Sequence, residues 1–75
     1  MTLKEVPVKN KVKISRIEKE NMTQSELANL VGVTRQTMNL IESQKYNPSI
    51  RICLMISKCL DKSLDELFWI DIREK

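Results

Sequence analysis

The sequence has 75 residues and a formal net charge of +3, with no histidine, two cysteines and one glycine. A chain of this length supports one hydrophobic core, so we predict a single domain over residues 1–75 with modest stability as a monomer. The shortage of histidine, cysteine and glycine argues against metal clusters and glycine-rich phosphate-binding loops. We therefore expect no enzyme activity, no cofactor, no metal site and no small-molecule ligand.

The charges are unevenly distributed along the chain. Up to Lys58 there are ten basic and five acidic residues, whereas from Cys59 onward there are three basic and five acidic ones. The basic part is compatible with a polyanionic partner such as a nucleic acid, and the acidic C-terminal part is not. No apolar run is long enough for a signal peptide or a membrane span, which predicts a cytoplasmic protein that does not bind membranes.

The first segment, residues 1–9, carries a weak strand signal. Val6 and Val8 alternate as strand residues do, and Pro7 restricts the segment to a sheet edge because it lacks an amide hydrogen. A frayed tail is the alternative interpretation, and the sequence leaves both open.

A first helix is predicted from Lys11 to about Lys19, with Asn10 as its N-terminal cap. Two different faces of this helix have the spacing of an inner face. One consists of Val12 with Ser15 or Arg16, and the other consists of Ile14 and Ile17. Periodicity alone leaves the orientation of the helix ambiguous.

The second helix has clear start and stop signals. Thr23 and Glu26 have the spacing of a capping box, in which each side chain bonds the backbone amide of the other residue. The apolar residues that recur at helical spacing are Leu27, Leu30 and Val31. Gly32 is placed to end the helix, because glycine adopts a positive φ without steric cost.

A third helix follows within a few residues. Thr34 can cap a helix from Arg35 to Glu42, in which Met38 and Ile41 would face inward. Two short helices joined by so short a turn are typical of a helix-turn-helix motif, which would occupy residues 23–43. They are also typical of an αα-hairpin in a small bundle, so the pattern alone does not separate the two.

The segment from Thr23 to Ser49 carries a more specific signal. The helix-turn-helix positions are occupied in order by Ala28, Gly32, Val33, Met38 and Ile41. With the blocks TQSELA, VGVTRQT and YNPS at the expected spacing, the chain resembles the Cro/C1-type (XRE) family of regulators from about residue 10 to residue 68. The resemblance implies a mainly α, five-helix lambda-repressor-like DNA-binding domain.

The resemblance also implies a structural ion pair between Arg16 of the first helix and Glu42 of the third. The stretch between Arg16 and Thr23 is one residue longer in this chain than in the family. If the pair is buried, the loss of one partner would leave an uncompensated charge, which affects folding rather than recognition.

A fourth helix is predicted from Ile50 to Leu60, after a polar loop and Pro48, with Ser49 as its cap. By the family pattern the core-facing residues are Ile50, Cys53, Ile56, Ser57 and Leu60. This leaves Ile52, Met55 and Cys59 as a second apolar stripe on the outside. The two cysteines are too far apart along one helix for a disulfide, so we expect buried free thiols.

The C-terminal segment combines a short helix with a strand signal. Ser63 and Glu66 form a second capping box, for a helix that ends at Leu67 or Phe68. Phe68, Ile70 and Ile72 then alternate with polar residues and Trp69, as in a strand. Such a strand needs a partner, either Val6 to Val8 in a small antiparallel sheet or a second subunit.

In the family the third helix lies in the major groove of DNA, and its outward residues meet the base edges. The outward residues of this chain are Arg35, Gln36, Asn39 and Leu40. Arginine suits guanine, glutamine and asparagine suit adenine, and leucine suits a thymine methyl group. Leu40 in particular is poorly explained by an ordinary solvated helix face.

Phosphate contacts are expected from the polar residues around that helix. The candidates are Gln24, Thr34, Thr37, Ser43, Lys45, Tyr46 and Asn47. Packing against Pro48 is the alternative role for Tyr46.

The predicted function is sequence-specific binding of double-stranded operator DNA, most simply as a repressor and as a homodimer on a palindrome. The candidate dimer interface consists of Ile52, Met55, Cys59, Trp69 and Ile70, within residues 50–75. The alternative is a protein-interaction module on the same fold, such as an antitoxin that masks a toxin.

Overall fold

The computed structural model describes residues 6–72, which form five helices and a two-stranded antiparallel sheet. In chain order the elements are β1 (Val8–Asn10), α1 (Val12–Glu18), α2 (Gln24–Val31), α3 (Arg35–Glu42), α4 (Ile50–Leu60), α5 (Leu64–Leu67) and β2 (Phe68–Ile70). The predicted mainly α architecture with a small sheet is confirmed. The parts of the predicted terminal segments that fall on residues 1–5 and 73–75 lie outside the described residues.

Hydroxyl caps open the helices from α2 to α5. The acceptors are Thr23, Thr34, Ser49 and Ser63, which bond the amides of Glu26, Thr37, Ile52 and Glu66 at 3.0 to 3.3 Å. Both capping boxes are complete, since Glu26 Oε1 accepts from Thr23 N and Glu66 Oε1 accepts from Ser63 N, each at 2.7 Å. Gly32 ends α2 with a φ of 78°, in the left-handed region. The four helix starts and the α2 stop are as predicted.

The start of α1 differs from the prediction. The helix begins at Val12, and the cap position is Lys11, whose side chain makes no capping bond. Asn10 belongs instead to β1, but its Oδ1 still accepts from Val12 N at 3.1 Å. Its Nδ2 donates to the carbonyl of Ile41 at 2.9 Å, so this one amide joins β1, α1 and the end of α3.

The two strands pair within the chain. Val8 lies opposite Ile70, Lys9 opposite Trp69, and Asn10 opposite Phe68. The N-terminal strand is therefore displaced by two residues from the predicted Val6 to Val8, and Ile72 falls beyond the strand. The alternation of valines could not locate the strand, because its position is set by pairing with a distant segment.

The core lies where the five helices meet. It consists of Val12, Leu27, Ala28, Val31, Met38, Ile41, Ile56, Leu60 and Leu67. In α1 the Val12 face is the inner one, with Ser15 and Arg16 also buried, and Ile14 and Ile17 are exposed. This resolves the ambiguity that periodicity left for that helix.

Two predicted core residues are exposed. Leu30 is 60% exposed, because the small Ala28 occupies the inner face of α2 beside Leu27 and Val31. Ile50 is 63% exposed, since it is the first residue of α4 and faces an apolar groove rather than the core.

The second stripe of α4 was predicted to lie on the outside, and that prediction is wrong. Ile52, Met55 and Cys59 are half-buried and pack against the core. The reason is that α4 contacts α1, α2 and α5, so its neighbours cover more than one of its sides. Burial also raises the pKa of both cysteine thiols, Cys53 and Cys59, which disfavours the reactive thiolate.

An ion pair connects α1 to the C-terminal end of α3. Arg16 Nε donates to Glu42 Oε2 at 2.8 Å, and Arg16 Nη2 donates to Glu42 Oε1 at 3.1 Å. The side chains are only 9% and 4% exposed. Arg16 Nη1 donates to the carbonyl of Met22 at 2.8 Å, and this bond fixes the loop in which Glu20 and Asn21 both have a positive φ.

The capping box of α2 predicts a pH-dependent stability. The backbone amide and hydroxyl of Thr23 hold the pKa of Glu26 below its ordinary value of 4.5. The ionised carboxylate therefore stabilises the folded protein above pH 4.5, and this stabilisation is lost as the pH falls through the folded-state pKa. The Glu26→Gln variant should therefore melt at a lower temperature than the wild type at pH 7, and the difference should vanish in strong acid. Circular dichroism melts over a pH series measure it.

Glu18→Gln is the matched control for this prediction, because Glu18 is exposed and accepts no hydrogen bond from the described residues. A melting difference for Glu26→Gln that stays constant from pH 7 to strong acid would contradict the role given to the carboxylate.

The ion pair predicts that either single loss is more harmful than a joint apolar replacement. Arg16→Ala or Glu42→Ala leaves a buried charge without a partner and should cost about 3 to 5 kcal/mol of unfolding free energy. The double variant Arg16→Met, Glu42→Leu should lose less, since it leaves no charge behind. Urea denaturation measures all three, and a double variant less stable than both single variants would refute the explanation.

Candidate nucleic-acid interface

The turn between α2 and α3 fixes the relative position of the two helices. Gly32 is left-handed, and the amide of Val33 donates to the carbonyl of Ala28 at 3.0 Å, which satisfies the end of α2. Val33 is half-buried against the core, and Thr34 caps α3 immediately afterwards. Met38 and Ile41 are fully buried and anchor the inner side of α3. The opposite side of α3 is therefore presented outward.

The four residues predicted to meet base edges all lie on this exposed side of α3. They are Arg35, Gln36, Asn39 and Leu40. Among the described residues, no hydrogen bond occupies the guanidinium of Arg35 or the amides of Gln36 and Asn39. Leu40 is 36% exposed, so it adds an apolar contact to an otherwise polar face. The face has hydrogen-bonding groups and one apolar group free for a ligand.

Gln24 is the first residue of α2 and lies beside the ion pair. Its Nε2 donates to Glu42 Oε1 at 3.0 Å, and the residue is half-buried. The helix starts of α2 and α3 both carry free backbone amides, which favour anions. The side chain of Gln24 therefore connects the N-terminus of α2 to the C-terminus of α3.

Thr34 and Thr37 form a hydroxyl pair at the start of α3. The hydroxyl of Thr34 donates to Thr37 Oγ1 at 3.0 Å, while Thr34 Oγ1 accepts from the amide of Thr37 at the same distance. The hydroxyl hydrogen of Thr34 is therefore used within the protein. That of Thr37 has no acceptor among the described residues and is available to an anion.

The remaining phosphate candidates lie in the loop after α3. Ser43 Oγ donates to the carbonyl of Leu40 at 3.2 Å, so in the unbound protein its hydroxyl hydrogen is already used. Gln44 has a φ of 65°, which reverses the chain and lets the amide of Lys45 bond the carbonyl of Leu40 at 2.9 Å. Lys45, Tyr46 and Asn47 are then exposed in one short loop next to the end of α3.

Two positioning contacts were missed by the sequence analysis. The first is the bond from Asn10 to the carbonyl of Ile41, and the second is the bond from Gln24 to Glu42. The partners are 31 and 18 residues apart, so no local pattern indicates either contact. Asn10 was predicted as a helix cap and Gln24 as a phosphate contact, so the sequence indicated both residues but neither partner.

The rest of the surface has an apolar groove of about 610 Å³ beside the sheet. It is lined by Val8, Ile50, Cys53, Leu64, Asp65, Phe68, Trp69 and Ile70. Between residues 6 and 72 no group of three or more His, Cys, Asp or Glu side chains could hold a metal ion. In the same range no helix is both long and apolar enough to cross a membrane.

Relatives of known family match most of the chain. A family profile described as helix-turn-helix matches residues 12–67. An uncharacterised HTH-type transcriptional regulator from Archaeoglobus fulgidus is 43% identical over 56 residues, which is 75% of this chain and 80% of that protein. The uncharacterised HTH-type transcriptional regulator YgzD of Bacillus subtilis is 39% identical over 64 residues, which is 85% of this chain and 96% of YgzD.

A solved structure has the same fold. The crystal structure of a Bacteroides fragilis protein, provisionally named a DNA-binding protein, superposes with a TM-score of 0.73 over 81% of this chain and 97% of that one. At 24% identity this likeness concerns the fold alone. The family profile and the relatives carry the assignment: the chain belongs to the Cro/C1-type (XRE) family of helix-turn-helix transcriptional regulators, a family of DNA-binding proteins rather than enzymes.

Proposed function

We propose that this protein binds specific double-stranded DNA sequences as a homodimer and represses transcription from them. The observation that carries the proposal is the outer face of α3, where Arg35, Gln36 and Asn39 are exposed and their side chains make no hydrogen bond to the described residues. The inner face of the same helix is fixed by two fully buried residues, Met38 and Ile41. A rigid helix with an open polar face is suited to the major groove, which is wide enough to admit it.

Each residue of this face has a base that it fits best. Arg35 can donate two hydrogen bonds to O6 and N7 of guanine, and Gln36 or Asn39 can pair with N6 and N7 of adenine. Leu40 can contact the methyl group of thymine. Since these contacts differ among base pairs, they supply sequence specificity.

The phosphate contacts fix the register of α3 along the groove without reading the sequence. We assign them to Gln24, Thr34, Thr37, Ser43, Lys45, Tyr46 and Asn47. Between residues 6 and 72 the hydroxyl hydrogen of Thr37 has no acceptor, and Lys45 carries a positive charge in an exposed loop. Ser43 has to exchange its bond to Leu40 for a phosphate, which makes it the weakest member of the set.

A homodimer is proposed because one recognition helix reads only a few base pairs and buries little surface. Two copies related by a two-fold axis read both halves of a palindrome, with half-sites about 34 Å apart. Of the interface residues predicted from the sequence, Trp69 and Ile70 are 36% and 44% exposed and can be covered by a partner. The half-buried Ile52, Met55 and Cys59 would border that contact rather than form its centre.

Repression is the simplest consequence of such binding. A protein that occupies promoter DNA excludes other proteins from it without any further contact, whereas activation needs a specific surface for the polymerase. We place this action in the cytoplasm, on the nucleoid.

The proposed function predicts that the purified protein selects an inverted repeat from random duplex DNA. Its affinity for the selected sequence should fall steeply between 50 and 200 mM salt, because Lys and Arg contacts to phosphate release counterions. Sequencing of the bound fraction after repeated selection measures the first effect, and fluorescence anisotropy measures the second. Weak salt-dependent binding without any enriched sequence would refute specific recognition.

Two variants separate the two kinds of contact within this prediction. Gln36→Ala should relax specificity at one position of each half-site, at a cost of about 1 to 3 kcal/mol against the preferred base. Lys45→Ala should weaken binding to all sequences equally and reduce the salt slope by about one unit for each half-site. If both variants changed the selected sequence, the division into base and phosphate contacts would be wrong.

The proposed dimer predicts that Ile70→Lys produces a folded monomer. Ile70 is exposed on the sheet, so a lysine can reach water there, but it would place a charge in the contact between two copies. Sedimentation equilibrium measures the association, and Leu30→Lys, at an exposed leucine of α2 away from the sheet, is the matched control. Met55→Lys is unsuitable as a test, because Met55 is half-buried against the core and a lysine there would also destabilise the monomer. A dimeric Ile70→Lys variant would refute this interface.

A further inference from the structure

The carboxylate of Glu42 has three hydrogen-bond donors, and they come from two different helices. Arg16 of α1 donates twice, through Nε to Oε2 and through Nη2 to Oε1. The third donor is Nε2 of Gln24, at the start of α2, which bonds Oε1 at 3.0 Å. The Glu42 side chain is 4% exposed, so water does not compete effectively for these bonds.

This contact determines which way the amide of Gln24 faces. A carboxylate only accepts hydrogen bonds, so the side of the amide that meets Glu42 must be the NH2 group. One of the two Nε2 hydrogens is used by Glu42. The other hydrogen and the amide oxygen make no hydrogen bond to the described residues, and Gln24 is half-buried rather than enclosed.

The hydrogen bonds from Arg16 also compensate the negative charge of Glu42 at the end of α3. A lone carboxylate there would repel a DNA phosphate, and it would be unfavourable next to the negative end of the helix dipole. Arg16 neutralises the charge with two short bonds from the protein interior. The group that the network places next to the N-terminus of α2 is therefore a neutral amide donor and not a carboxylate.

We propose that Glu42 is a positioning residue for DNA binding, in addition to its ion pair with Arg16. It holds the Gln24 amide, before DNA arrives, with one N–H directed to Glu42 and the second N–H free to donate to a phosphate. The inference rests on the proposed function and names a role in it for a buried acidic residue. A side chain ordered in advance loses less conformational entropy on binding, so the fixed orientation raises affinity.

A double-mutant cycle on DNA affinity tests this role, with the wild type, Gln24→Ala, Glu42→Gln and the double variant bound to the selected duplex. Gln24→Ala should weaken binding about tenfold for each half-site, as expected for one hydrogen bond to a charged phosphate. Glu42→Gln should weaken binding in the wild-type background but have almost no further effect in the Gln24→Ala background. All measurements are made at a temperature at which every variant is folded by circular dichroism.

The cycle separates positioning from a general loss of structure. A Glu42→Gln variant that is merely less well ordered would lower the affinity by the same factor in both backgrounds, and that additive result would overturn the inference. Asn29→Ala is the control, because Asn29 is exposed on α2 and lies outside the proposed contacts. Its affinity should equal that of the wild type.

A second measurement does not require Glu42→Gln to fold. In the unbound wild type, hydrogen exchange of the Gln24 side-chain amide by NMR should be several-fold slower than that of Gln44, which is exposed. Equal exchange rates would show that the amide is not held and would overturn the inference. A wild type that binds no DNA would overturn the proposed function together with this inference, whereas wild-type binding with an additive cycle would overturn the inference alone.

Discussion

The buried carboxylate of Glu42 needs hydrogen-bond donors from other helices, and this need constrains how the helices of this small domain are arranged. It is the last residue of α3, and the partners that compensate its charge lie on α1 and at the start of α2. Arg16 also bonds the carbonyl of Met22, so the same guanidinium fixes the loop that leads into the helix-turn-helix motif. In a chain with one small core, a charge that is stable only when three helices are in place disfavours any other arrangement of those helices.

The apolar core and this polar network fix different aspects of the position of α3. Met38 and Ile41 fix its distance from the core, but apolar contacts are not directional and allow a helix to rotate or slide. Hydrogen bonds to Glu42 and to the carbonyl of Ile41 are directional, and both lie at the C-terminal end of the helix. At the other end, the Thr34 cap and the left-handed Gly32 define where the helix starts. The exposed face of α3 is thus fixed at both ends.

The resemblance to the family implied the distant Arg16–Glu42 ion pair, but the features that could be predicted from the residues themselves are those decided within one helical turn. The caps at Thr23, Thr34, Ser49 and Ser63 and the stop at Gly32 depend on neighbouring residues, and all were correct. The position of β1, the exposure of Leu30 and Ile50 and the covered stripe of α4 depend on which distant segment packs against each element. The exposed face of α3 was predictable because its buried face was clear, but the bond that orients Gln24 was not, since its partner is 18 residues away.

Asn10 connects the two surfaces on which the proposed binding of DNA by a dimer would depend. It pairs with Phe68 in the sheet that carries Trp69 and Ile70, and its side chain bonds the last turn of α3 through the carbonyl of Ile41. In the proposed two-fold dimer, the distance between the two α3 helices would depend on how firmly each α3 is held relative to the proposed dimer surface. The DNA helix accepts only spacings near its own repeat. A single residue, Asn10, therefore connects the sheet to α3, through the hydrogen bond from its side-chain amide. Because that residue also bonds the first amide of α1, a shift of the sheet has to move α1 and α3 together, and the network around Glu42 opposes such a shift.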